Sequence, residues 1–307
     1  MIKKLPQLYT ALITPFKQDQ SIDETALYAL LNHQKKAGVP GLLALGTTAE
    51  SYALSLEEKQ HLLAIIANFT NQSNIDLCVN VSSNTTDGAI KMAHRAEKEG
   101  ANSLLMLPPF YVKTTREGMF EHFKNVAKAT SLPIIVYHHP PRTGIKLDFC
   151  QIKALSEIES IVGIKEPFTD IQTCQKLVES IPTWNIYAGD DALTLPVMSV
   201  GGRGVISVMS NIFPKTMQTL VKALDAGQLF KAQAIHKTLL PFFNTIACEP
   251  NPSVIKQMLA ICMGFDPLAR RPLLTLKEET KNVIKTLFAQ ESTKTLILEE
   301  MGEGQYA

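Results

Sequence analysis

The 307-residue chain is predicted to be an α/β protein: a (β/α)8 barrel, the TIM-barrel architecture, with a C-terminal helical extension. Eight short apolar runs recur along it: LYTALIT (8–14), GLLAL (41–45), IDLCVNV (75–81), NSLLML (102–107), PIIVY (133–137), SIVGIK (160–165), WNIYAG (184–189) and GVISV (204–208). Helical patterns separate them, and strand followed by helix, repeated, builds a parallel sheet that is either closed or doubly wound. No Gly-x-Gly-x-x-Gly follows the first run, which weakens the dinucleotide-binding open sheet and favours the barrel.

Past the first two or three, the runs are too short and too uniformly apolar for half-exposed antiparallel strands. Between them, residues 56–69 place Leu62, Leu63, Ile66 and Phe69 on one stripe. Ser55 with Glu58, Ser21 with Glu24, and Thr114 with Glu117 read as capping boxes at helix starts. After the eighth run the alternation stops, and 214–226, 229–246, 252–263 and 277–289 read as helices with no strands between them. The expected organisation is a barrel over 1–226, a helical extension over 227–290 and a frayed tail over 291–307.

Composition narrows the function. Thirty basic and 29 acidic residues leave a net charge of +1, so no basic excess exists to bind nucleic acid. The five cysteines are scattered and form no Cys-x-x-Cys pair, which argues against a disulfide framework or zinc site and suits a reducing cytosol. The N-terminus lacks the apolar run of a signal peptide, and no window is apolar for long enough to span a bilayer. A cytoplasmic protein with small-molecule partners is expected.

In a barrel the active site lies at the C-terminal ends of the strands. Lys165 ends the sixth run; apolar surroundings lower a lysine pKa, and a neutral amine attacks a keto carbon to form an imine. A lysine that only reaches from a strand end to solvent is the competing reading. Tyr137 ends the neighbouring run and offers a hydroxyl for proton transfer, although a tyrosine there can simply cap the core. Thr47 and Thr48 offer hydroxyls and backbone N–H groups to a carboxylate. Arg142, in HHPPRTG, is suited to a second acidic substrate. Glu166 should point to the other face of its strand. His138 and His139 diverge as neighbours and have no third ligand at metal-like spacing, so no metal is expected. The glycines of Gly201-Gly202-Arg203-Gly204 fit tight-turn chemistry better than a phosphate cradle.

Taken in order, GTTAES (46–51), PPFY (108–111), YHHPPRTG (137–144), GIKEP (163–167), AGDD (188–191), GGRGVISV (201–208) and EPNP (249–252) resemble the dihydrodipicolinate synthase and N-acetylneuraminate lyase family. The match runs from ALITPF (11–16) to about residue 290. The resemblance implies a Schiff-base lyase in which Lys165 captures pyruvate and no external cofactor is needed. It also implies a proton relay of Tyr137, Thr47 and Tyr111, with Tyr111 lent by a neighbouring subunit of a homodimer or homotetramer. Thr48 matches the binder of the pyruvate carboxylate, and Ile206 the position whose main-chain carbonyl faces the lysine; Gly189 joins the substrate-binding set. Arg-Thr-Gly at 142–144 points to the synthase branch, where the arginine holds the carboxylate of aspartate β-semialdehyde.

The chain departs from the family pattern at several positions: Ala49 for glycine, His138-His139 for Asn-Val, and PPFY for Thr-Pro-Tyr-Tyr. At positions matching the lysine-inhibition cleft of some relatives it has Leu56, Lys59, Gly88 and Phe110, with Ser51 and Asn84 kept, which predicts weak or absent lysine inhibition. Two alternatives stand beside the synthase: another pyruvate-dependent aldolase or 2-keto-3-deoxy sugar acid dehydratase of the same mechanism, and a non-catalytic ligand-binding barrel.

Overall fold

A computed structural model describes residues 5–168 and 170–302. The strands form inside the apolar runs: β1 (Leu8–Ala11), β2 (Gly41–Ala44), β3 (Asp76–Asn80), β4 (Ser103–Met106), β5 (Ile134–Tyr137), β6 (Ile161–Glu166), β7 (Asn185–Ala188) and β8 (Gly204–Ser207). They close into a barrel in chain order, and the pairings from β2 through β8 are parallel. Nearly every strand residue is buried, as expected for strands covered on both faces. Two registers matter for the site: Tyr137 of β5 lies opposite Lys165 of β6, and Lys165 lies opposite Tyr187 of β7.

Two glycines allow close backbone approach. A Cβ at Gly163 would stand 2.3 Å from the Asn185 carbonyl oxygen, so β7 can lie against β6 only with glycine there. A Cβ at Gly204 would stand 1.8 Å from the Gln7 carbonyl oxygen, while Gly201 has a positive φ of 97°. The glycine cluster before β8 thus follows from turn and strand packing.

The helices are α1 (Glu24–Ala37), α2 (Leu56–Ser73), α3 (Thr86–Lys98), α4 (Arg116–Lys128), α5 (Pro140–Thr143), α6 (Phe149–Leu155), α7 (Ile171–Ser180), α8 (Thr194–Ser199), α9 (Pro214–Asp225), α10 (Leu229–Ile246), α11 (Ser253–Met263), α12 (Glu278–Ala289) and α13 (Glu291–Met301). One expected capping box is present: Ser55 Oγ accepts the Glu58 N–H, and Glu58 accepts the Ser55 N–H. The other two shift. Asp23, not Ser21, caps α1, and Thr115, not Thr114, caps α4, because the helix begins where the first side chain can reach a free N–H two or three residues on. A box not expected from the sequence, Asp148 with Gln151, opens α6.

The chain forms two compact units. One contains the residues up to Tyr9, Pro40–Ala44 and Leu62–Ile206; the other contains Thr10–Val39, Leu45–His61 and the chain from Ser207 onward. The units therefore do not divide at the expected residue 226. In the first unit the core is the packed barrel interior, in which Tyr9 and Tyr187 meet edge to face at 6.0 Å and donate to Asp76 and to the Pro6 carbonyl. In the second unit α9, α10, α12 and α13 pack together around Phe213, Phe242 and Phe288.

The expected frayed tail is corrected for its described part. Residues 291–301 form α13, which buries Leu296, Ile297 and Met301, and Glu300 accepts the Thr216 hydroxyl at 2.7 Å. The apolar spacing is real but short, and it is stabilised by packing on α9 rather than by local propensity. Residues 303–307 lie outside the described residues. Among the described residues no helix is long and apolar enough to cross a membrane.

Candidate active site

Lys165 is the penultimate residue of β6, and only 5% of its surface is exposed. Its Nζ lies 4.5 Å from the centroid of the Tyr137 ring. Strand register accounts for this: residues opposite each other on adjacent parallel strands turn their side chains to the same face. Among the described residues Lys165 Nζ makes no hydrogen bond or ion pair, and the buried Tyr137 hydroxyl also has no hydrogen-bonded partner. An amine beside an aromatic ring whose own hydroxyl is unengaged leaves both polar groups free for a ligand.

The electrostatics agree. Burial pushes the Lys165 amine down to about 8; Asp191 and Cys78 oppose that shift, and Arg142 adds to it. Burial pushes the Tyr137 phenol up to about 12, partly offset by Arg142. The amine is thereby eased toward its neutral form while the phenol keeps its proton. His139 packs edge-on against Tyr137 at 5.6 Å. Burial holds it below the usual histidine range, with Arg142 and Lys165 acting in the same direction.

Four more of the expected residues belong to the first unit. Arg142 sits in the last turn of α5 with an exposed side chain. Gly189 follows β7 and donates its N–H to the Glu166 carbonyl at 2.7 Å. Ile206 is a buried residue of β8. Tyr111 has a left-handed φ of 69° and is 93% exposed.

Thr47 and Thr48 belong to the second unit. Their turn is built by the Glu50 N–H donating to the Thr47 carbonyl at 3.0 Å and the Ala49 N–H donating to Gly46. Ala49 does not adopt a positive φ, so replacing glycine there costs no strain; its carbonyl accepts the Thr14 hydroxyl at 2.7 Å. Thr48 Oγ1 accepts an N–H from Asn251 at 3.0 Å. With one lone pair occupied by an amide, the hydroxyl proton of Thr48 remains available to an anionic acceptor.

Three contributors were not evident in the sequence. Asp191 is buried and is the largest influence opposing the effect of burial on Lys165. Asn251 orients Thr48. A buried cluster holds the turn: Lys256 donates to Glu50 and to the Leu268 carbonyl, and the Arg270 N–H donates to Glu50 at 2.7 Å. The motifs AGDD and EPNP contain the first two, but their partners lie too far along the chain for spacing to show the pairing. An apolar cavity of about 380 Å3, lined by Met119, Phe120, Leu147 and Cys150 among others, contains none of the expected site residues. Among the described residues no three His, Cys, Asp or Glu side chains group as metal ligands.

The chain is similar to known proteins over most of its length. The model of the dihydrodipicolinate synthetase family matches residues 4–291. The 4-hydroxy-tetrahydrodipicolinate synthase of Bacillus subtilis (strain 168) is 38% identical over 275 residues, covering 89% of this chain and 94% of that protein. The structure of the 4-hydroxy-tetrahydrodipicolinate synthase from Methylacidiphilum fumariolicum SolV superposes with a TM-score of 0.91 at 38% identity, covering 99% of this chain and all of that one. A dihydrodipicolinate synthase from Acinetobacter baumannii, solved with pyruvate, superposes with a TM-score of 0.89 at 30% identity, covering 98% and 99% of the two chains. The chain belongs to the dihydrodipicolinate synthetase family.

Proposed function

We propose that this chain is a 4-hydroxy-tetrahydrodipicolinate synthase, a Schiff-base lyase of lysine and diaminopimelate biosynthesis that condenses pyruvate with L-aspartate 4-semialdehyde. The observation that carries this reading is the buried, unpaired Lys165 amine against Tyr137, with its pKa lowered by burial to about 8. At pH 7 such an amine is neutral in roughly one molecule in ten, several hundred times more often than an ordinary lysine.

In the proposed reaction the neutral amine adds to C2 of pyruvate. The carbinolamine takes up a proton at its hydroxyl and loses water to give the imine. Loss of a C3 proton gives the enamine, whose carbon attacks the aldehyde of the second substrate and restores the imine; the amino group of that substrate then adds to the imine carbon, closing the ring, and the C–N bond to Lys165 breaks to regenerate the amine. Tyr137, which stays protonated, is the proposed proton donor to the carbinolamine hydroxyl. The family motif gives Thr47 and Tyr111 the remaining places in the relay, Thr48 the pyruvate carboxylate, Gly189 and the Ile206 main chain the surroundings of the adduct, and Arg142 the carboxylate of the semialdehyde. The near-complete exposure of Tyr111 supports a residue offered to a neighbouring subunit, hence a homodimer or homotetramer. The imine on the chain's own lysine serves as the electron sink, so the proposal includes no external cofactor, and it places the enzyme in the cytoplasm.

Borohydride trapping with pyruvate followed by mass spectrometry tests the first half. The expected result is one adduct on Lys165, absent from Lys165→Met. Supplying the trapped species' precursor with a panel of aldehydes tests the second half; preferential consumption of a sugar-derived aldehyde over aspartate semialdehyde would move the chain to the aldolase or dehydratase branch. Absence of any adduct would leave the non-catalytic barrel.

A further inference from the structure

We propose that His138 is a positioning residue: held as the neutral, Nδ1-protonated tautomer between Glu166 and the Leu147 N–H, it sets the loop that presents Arg142 to the second substrate. The proposal rests on the reading of Arg142 given above.

Because Tyr137 and Lys165 are register partners, the residues that follow them, His138 just beyond β5 and Glu166 at the end of β6, turn to the opposite face together. There His138 is buried and Glu166 largely so. His138 Nε2 accepts the Leu147 N–H at 3.0 Å. A ring nitrogen that accepts a hydrogen bond carries no proton, and an imidazolium has no lone pair to offer, so the contact itself requires the neutral ring with its proton on Nδ1. Nδ1 stands 3.3 Å from Glu166 Oε2, off the direction of a good hydrogen bond, and neither atom has another hydrogen-bonded partner among the described residues. The attraction is that of an N–H dipole for a nearby carboxylate, and it favours the same tautomer.

These contacts brace both ends of one segment. The His138 N–H donates to the Lys165 carbonyl at 3.0 Å, which fastens the start of the loop to the strand of the reacting lysine. The imidazole then fastens its far end at Leu147, just before Asp148 caps α6. Between these points lie the single turn α5, Arg142 and the left-handed Gly144. Among the described residues Arg142 has no ion pair, so its position is set by the loop backbone. Asparagine, the residue of the family pattern at 138, has no imidazole, so this ring contact departs from that pattern.

The test compares His138→Leu, His138→Gln and Arg142→Ala in steady-state kinetics and in pyruvate trapping. Leucine keeps volume but removes both polar contacts. Glutamine keeps a carbonyl for the Leu147 N–H and an amide N–H for Glu166. His138→Leu is expected to raise the KM for aspartate semialdehyde about tenfold or more, the scale of one lost buried hydrogen bond, while the pyruvate KM and trapping rate hold. His138→Gln should recover most of the loss. An unchanged semialdehyde KM in His138→Leu, alongside a raised one in Arg142→Ala, overturns the brace alone. An unchanged KM in Arg142→Ala overturns the reading of Arg142 and the brace with it. Should the leucine variant fail to fold, nitrogen-15 imidazole shifts of the unmodified protein decide: Nδ1–H is expected, and Nε2–H or an imidazolium at neutral pH overturns the proposal.

Discussion

Among the described residues each compact unit buries one lysine, and burial pushes both amines down to about 8. Their surroundings differ completely. Lys256, 1% exposed, is saturated: it pairs with Glu50, donates to the Leu268 carbonyl and lies 4.2 Å from the Phe16 ring centroid. Lys165 lies over the Tyr137 ring and, among the described residues, makes no hydrogen bond or ion pair, although Asp191 and Cys78 act on it electrostatically. Burial alone therefore does not identify a reactive amine; burial without a partner does. An amine locked into an ion pair is committed to its carboxylate, whereas an unpaired one has a lone pair to give when it loses its proton.

The largest effect that would break this comparison is catalytic. Lys165→Met should abolish the pyruvate adduct and lower condensation by on the order of 10^4-fold or more, yet leave thermal stability equal or higher, because it removes an unpaired buried amine. Lys256→Met should do the reverse. It strands Glu50 in the interior and should lower unfolding stability by about 3–5 kcal/mol, read by denaturant titration, with the adduct still forming on Lys165 in the folded fraction. If both variants lose stability alike, the distinction between the lysines is wrong.

The next prediction concerns pH. Lys165 is charged below its pKa and neutral above it, so the borohydride-trapping rate with pyruvate should climb through pH 8 and level off beyond it. Tyr137, raised to about 12, should contribute no limb below that range. A flat profile between pH 6 and about 9 would show that the amine is not the titrating nucleophile.

A smaller effect is expected from the second unit's contribution to binding. Asn251→Ala removes the donor that occupies one lone pair of Thr48; the pyruvate KM should rise about tenfold, with kcat nearly unchanged, the pattern of lost uniform binding. The smallest is a null result: submillimolar lysine should leave the steady-state rate unchanged, since Lys59 stands where the family's lysine-binding contacts are expected.

Much of the fold was legible because it depends on local patterns. Eight apolar runs became eight strands, with errors only at the ends, where hydrogen bonding trims a run such as 8–14 to Leu8–Ala11. Lys165 and Tyr137 were legible because each ends such a run, and barrel geometry turns strand ends into a site. The roles of Asn251, Asp191 and His138 were not, since each acts through a partner on another element: Thr48 is 203 positions from Asn251. The tail was misread for the same reason, because α13 packs on α9 and α12, which lie on other stretches of the chain.

The order of elements and the parallel barrel were determined by the sequence alone, through hydrophobic period, and the candidate nucleophile by its strand-end position together with the family motifs around it. Only the tertiary structure decided which of two buried lysines is left unpaired, which backbone N–H the His138 ring accepts and what orients Thr48. Those outcomes depend on distances between groups far apart in the chain, and both desolvation and hydrogen bonding act through distance.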